Sequence, residues 1–446
     1  MKYISLAFTI FVLATQVSFS KLVDSWPLVV KQDSMVQFTF VLEDEPMLQT
    51  PEKLTLQYVQ ADSVRESGKA FGGAFNKIEF QIEGNKLITK PIKIIGETIH
   101  TLRLVSPDAQ GKFRNPKVHG IHFVYSLADD LFQLRPYRGS IHTVLNFPTE
   151  AEQLQPHKLI AQLRHSGYDF ACIADNDLDK AKNAIAGFPF KTDFTLIPAE
   201  EVFIPGKSAK LLAINPNTSV GKWIAGNPNE LLKAIENEAN SLKIDSKEFT
   251  EQVATTHAII KKIKQENALA ILVHPNHGQD DFPYLPRPAI DAILNARQYD
   301  ALQVAGGPKV DLDFTDYFEL CASGPRVPAV GGPGFVPQAD LARSITVVLA
   351  KSNSASDIMS AIKSGHVAAV FQPPATYRRI AADFRLGHYF AFLLRYYFPK
   401  LNGTYRSEAD AFNKILDAND EQAKQLLPTL QNHVNATYDK YFAVTQ

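Results

Sequence analysis

Cysteine, tryptophan and methionine are scarce in this chain, at 2, 2 and 4 of 446 residues. Two cysteines cannot build a disulfide scaffold, so the fold must rest on hydrophobic cores. Neither sign of charge is in excess, with 46 Lys plus Arg against 47 Asp plus Glu. That balance supplies no field for nucleic acid or acidic lipid, and no local basic patch breaks it, so no nucleic-acid partner is expected. Beyond the first twenty residues no apolar run is long enough to cross a bilayer, and a membrane-spanning chain is not expected. The dense aromatic stretch Tyr389 to Phe398 is short and split by Arg395, which reads as a buried helix. No Gly-x-Ser-x-Gly elbow is present. Gly331-Gly332-Pro333-Gly334 follows no dinucleotide fingerprint and reads as a turn.

What is present describes a globular protein of two or three domains, 45% apolar and 21% charged. Lys2 precedes an apolar run from Ile4 to Val17, and Ser18 and Ser20 stand at the positions a signal peptidase requires. Residues 1–20 therefore read as a signal peptide, and the chain as exported, periplasmic or extracellular. Cys172 lies in an apolar strand and Cys321 in a helical segment, which favours two free thiols over a bridge. Asn217, Asn402 and Asn435 head Asn-x-Ser/Thr triplets, which matter only in a eukaryotic secretory pathway.

Residues 21–129 carry alternating runs, Met35–Leu42, Lys53–Val59, Lys77–Ile82 and His100–Val105, separated by turns. The expectation is a small β-sandwich that binds or docks, since no cluster of chemical residues lies in it. Residues 130–371 alternate strand and helix, which predicts an α/β barrel. Pro156 opens a helix stopped by Gly167. Strands follow at Phe170, Phe194, Lys210, Ala268, Ala301, Val327 and Ser344, and Ser354 caps a helix that ends at Gly365. A charged helical insertion fills about 216–267. Residues 372–446 read as a helical extension, with Ser407 and Asp410 capping one helix and Pro428 breaking or kinking the last. Asp175, Glu200, Glu201, Asn215, His274 and His277 sit at or just past strand ends, where a βα barrel gathers them at one mouth.

These polar positions carry a resemblance. Gly139-Ser140-Ile141-His142-Thr143-Val144, one helix, then Phe170-Ala171-Cys172-Ile173-Ala174-Asp175-Asn176 resembles the opening of the PHP (polymerase and histidinol phosphatase) family. The resemblance runs from about Leu131 to Phe371 and implies a distorted PHP-like (βα) barrel. Members of that family hold up to three divalent metals, which activate water for attack on a phosphate ester. It implies His142, Asp175, Glu201 and His274 as metal ligands, on the motifs around Asp175, Pro198-Ala199-Glu200-Glu201 and His274-Pro275, with His277 as an additional candidate.

The other slots depart from the pattern. Ser140, Val144, Asn176, Ser208, Gln303, Gly334 and Val336 stand where ligands or their neighbours would be. A valine cannot bind a metal. Three readings follow: inherited remnants without metal, a reduced site holding one Zn, Mn or Fe ion through His142, Glu201 and His274, or an intact phosphoesterase. The first is favoured and the last is the least expected. The functional expectation is a degenerate PHP-like protein that binds a ligand or partner. The alternative is a metal-dependent hydrolase acting on a phosphate ester.

Overall fold

The computed structural model describes residues 22–43, 50–60, 75–107, 116–145, 155–190, 192–242, 247–276, 285–306, 310–334, 338–373 and 377–443. The leader, His277 and Val336 lie outside the described residues. The chain divides into two compact units, Met1–Phe132 with Tyr438–Gln446, and Gln133–Thr437.

The first unit is built from two main sheets around one core, antiparallel except that Val29–Lys31 runs parallel to Lys117–Leu127. A four-stranded sheet runs Leu22–Trp26, Thr39–Leu42, Lys86–Thr89, Phe80–Glu83. A five-stranded sheet runs Val29–Lys31, Lys117–Leu127, Ile99–Ser106, Thr55–Gln60, Asn76–Ile78. Every second residue of these strands turns inward. Phe40, Leu42 and Leu87 from one sheet therefore meet Leu56, Leu102, Leu104 and Val124 from the other.

The second unit is mixed α/β around a nearly closed ten-stranded, barrel-like sheet. Its order is Ala329–Gly331, Ala301–Ala305, Leu269–Val273, Leu211–Ile214, Thr195–Val202, Phe170–Asp175, Arg135–Val144, Ser344–Ala350, Val367–Phe371, Arg379–Ala381. Several central strands are buried along their whole length, as expected where both faces are covered. Alternation still sorts their side chains. Leu211, Ala213, Ala270, Leu272, Leu302 and Val304 pack in one core with Ile259, Ile290 and Phe314 of surrounding helices. Leu212, Ile214, Ile271 and Val273 join Ile141, Cys172, Ala199 and Val330 in another.

Near-closure depends on glycine. Gly334 N donates to His142 O at 2.9 Å, and Thr143 and Gly334 form a parallel bridge. Thr346 Oγ1 donates to Gly331 O at 2.6 Å from the neighbouring strand. A Cβ on Gly332 would lie 2.5 Å from His142 N, so only glycine permits this approach.

Three expectations need correction. Leu211–Ile214 is antiparallel to both of its neighbours, so Asn215 ends at the far side of the sheet from the mouth and Lys210 takes its place there. Ser407 caps nothing. The helix Phe398–Ala418 runs through it, sustained by a buried face of Phe398, Leu401, Tyr405 and Phe412 that outweighs poor helix formers at Asn402 and Gly403. Of the two outcomes expected at Pro428, the break does not occur, because the helix Glu421–Tyr441 continues past it. Elsewhere Pro156 opens its helix, Gly167 takes φ 95°, and Ser354 Oγ accepts from Asp357 N. Cys172 is buried, Cys321 is half-buried, and both are free. Among the described residues no helix is long and apolar enough to cross a membrane.

Candidate functional site

His142 stands near the end of the Arg135–Val144 strand and is 1% exposed. The register with Phe170–Asp175 shifts between Ser140 and Thr143, an irregularity of the kind that re-aims a side chain. Its Nε2 lies 2.8 Å from Glu201 Oε1, and its Nδ1 lies 3.0 Å from Gln303 Oε1. Gln303 is wholly buried, and its Nε2 donates to Gly332 O at 3.1 Å. That bond fixes the amide, so its oxygen faces the imidazole.

Glu201 has a second partner. Lys210 Nζ lies 2.5 Å from the same Oε1. Burial alone would raise the Glu201 carboxyl, but the His142 hydrogen bond and the charges of His142 and Lys210 prevail and hold it at about 2. The neighbouring Glu200 faces the other way. It accepts from Ser219 Oγ at 2.5 Å, Val220 N at 2.8 Å and Gly221 N at 3.1 Å. Burial raises the Glu200 carboxyl against those three bonds.

His274 follows the Leu269–Val273 strand at φ 39°, a left-handed conformation uncommon outside glycine. Its ring centroid lies 6.0 Å from that of His142. Its Nδ1 lies 3.7 Å from Oδ2 of the fully buried Asp313. Burial lowers the His274 pKa, with Asp313 opposing that shift and His142 and Lys210 adding to it. Asn276 Nδ2 holds Asp313 Oδ1 at 3.0 Å and Asp316 Oδ2 at 2.7 Å, and Arg287 Nη2 reaches Asp316 Oδ1 at 2.8 Å.

Of the four residues singled out from sequence, His142 and Glu201 touch and His274 stands beside them. Asp175 is buried but pairs in register with Glu200, and the alternation that turns Cys172 and Ala174 inward turns Asp175 outward. It accepts from Asp177 N at 3.0 Å. Ser208 is occupied in its own turn, accepting from Ile204 N at 2.8 Å. Sequence reasoning missed Lys210 and Asp313. Lys210 was hidden by strand direction. Asp313 and Asp316 carried a readable signal, two acids spaced i, i+3 on the same helix face as Phe314 and Tyr317.

The donor set of the described residues does not fit a metal cluster. Among the described residues no three His, Cys, Asp or Glu side chains are arranged to hold an ion. The Glu201 oxygen facing His142 is shared with an ammonium group, and Gly334 brings no side chain. A Cβ there would sit 3.7 Å from His274 Nε2 and 3.9 Å from His142 Nδ1, so this glycine faces the space between the two rings.

No family model and no curated protein matches the chain. Among solved structures, one that resembles it is a two-domain protein from Bacteroides vulgatus containing a predicted PHP-like metal-dependent phosphoesterase. The likeness has a TM-score of 0.35 and 13% identity, over 54% of this chain and 66% of that one, just under two thirds of its length. A putative glycoside hydrolase from the same organism matches with a TM-score of 0.16 and 10% identity, over 68% of this chain and 55% of that one. Neither likeness is close enough to carry a functional argument.

Proposed function

We propose that this is an exported PHP-like protein in which an internal charge network has replaced the metal centre. It binds a ligand or partner and does not turn over phosphate esters. One observation carries this reading: both ring nitrogens of His142 are committed, Nδ1 to Gln303 Oε1 and Nε2 to Glu201 Oε1. Both contacts occupy the directions along which the ring nitrogens would bind an ion. The Lys210 ammonium supplies positive charge that a divalent ion would otherwise bring to Glu201.

The test is hydrolysis of p-nitrophenyl phosphate by the mature chain with excess Zn, Mn or Fe(II). The expected rate equals that of His274→Ala. A rate well above that variant would overturn the proposal.

One observation favours the second reading, a single-ion hydrolase. His142 Nδ1 and His274 Nε2 flank one point beside Gly334. An ion held there by these rings requires Gln303 to leave His142 Nδ1, and Glu201 joins it only by leaving Nε2 and Lys210.

A further inference from the structure

The second unit holds a partly open cavity at the opposite end of the barrel from the mouth. Arg135 opens the strand whose far end carries His142, on the order of 20 Å away at ~3.3 Å per residue. Asp169 precedes the next strand, and Asn353 follows the antiparallel Ser344–Ala350 strand. With Tyr405 and Asn435 from the C-terminal helices they line a cavity of about 190 Å³.

The polar groups around it are fixed in place. Asn353 Nδ2 donates to Asp169 O at 2.7 Å and also to Asp193 O, which sets the amide's orientation. Its Oδ1 is buried and has no partner in the protein. The Asp169 carboxylate is held by Arg138 N at 2.9 Å and by the Tyr405 hydroxyl. Asp193 is tied to Arg164 at 2.6 Å and remains 31% exposed, which leaves the space open to solvent. Arg135 and Asn435 join across its rim at 3.1 Å. Tyr137 and Tyr397 add apolar surface.

This lining discriminates among ligands. A free anion meets Asp169 and Asp193, and a free cation meets Arg135. An apolar molecule covers the part-exposed Asp193 carboxylate without offering it a hydrogen bond. A neutral molecule with several hydroxyls donates to that carboxylate, accepts from the guanidinium, and lays its C–H surface on the tyrosines. We propose that this cavity binds a small neutral polyhydroxylated ligand, a monosaccharide or a polyol, independently of the barrel mouth.

The experiment is calorimetric titration of the full chain with glucose, mannose, myo-inositol and glycerol. Saturable binding at millimolar concentrations is expected for at least one. Binding of the cyclic probes alone identifies a ring-shaped ligand, and binding of glycerol as well identifies a general polyol site. At the rim, Asn435→Ala should weaken binding roughly fivefold, the effect of one neutral hydrogen bond, and Arg135→Ala more than about tenfold, the effect of a charged one. His274→Ala should leave it unchanged. No binding by any probe to protein with an intact melting transition overturns the proposal. So does binding lost in His274→Ala but kept in Arg135→Ala.

Discussion

Lys210 Nζ lies 2.5 Å from Glu201 Oε1, the same oxygen that His142 Nε2 approaches to 2.8 Å. A lysine and a histidine therefore converge on one buried carboxylate at the barrel mouth. This arrangement makes the mouth's stability depend on acid in a defined window.

Glu201 is held at about 2, down from an ordinary 4.5. A depressed carboxyl contributes stability above its unfolded value, and that contribution is lost as pH falls through the folded one. The depression corresponds to about 3 kcal/mol at ~1.4 kcal/mol per pH unit. Urea unfolding of wild type minus Glu201→Gln should show that difference fade between pH 4.5 and about 2. A difference that stays flat across the window would contradict the pairing.

The close approach at Gly332 and the strain at Gly334 should separate cleanly. Gly332→Ala places a Cβ 2.5 Å from His142 N, a backbone atom that cannot yield alone, and should cost roughly 1–3 kcal/mol. Gly334→Ala meets nothing nearer than 3.7 Å but sits at φ 60°, where an L side chain costs about 1–2 kcal/mol. Thermal melts should rank Gly332→Ala at least as destabilised, and it alone should disturb the His142 NMR signals. Equal disturbance of His142 by both would count against near-closure at this seam.

Arg164 is fully buried, with Nε 2.7 Å from Glu408 Oε2 and Nη2 2.6 Å from Asp193 Oδ1. Arg164→Met strands a buried carboxylate and should cost about 3–5 kcal/mol. Burial already raises the Glu408 carboxyl against the pull of Arg164. Arg164→Met with Glu408→Met should recover much of the loss, because the pair is removed together. A double variant no more stable than the single in urea unfolding would show that the two residues do not act as a pair.

The sequence made some of this legible. The strand Phe170–Asp175 stands out because Gly167 ends one helix and an apolar run follows it. His142, Glu201 and His274 were legible only through the family resemblance of the motifs around them. Strand direction was not. Leu211–Ile214 is buried throughout, and four apolar residues say nothing about which end faces the mouth. Lys210 and Asn215 therefore exchanged places. Asp175 shows a second limit, because strand ends can be located from sequence while the face a side chain takes depends on register. The commitment of His142 rests on the Gln303 amide, whose orientation is set by a carbonyl 29 residues away at Gly332. No local pattern encodes that.

The metal content of the protein tests the central claim most directly. Purified mature chain, incubated with Zn, Mn or Fe(II) and then dialysed, is measured by inductively coupled plasma mass spectrometry beside His274→Ala. The charge network predicts far less than one ion per chain, with no difference between the two proteins. Near-stoichiometric metal in the wild type that is lost in His274→Ala would contradict it.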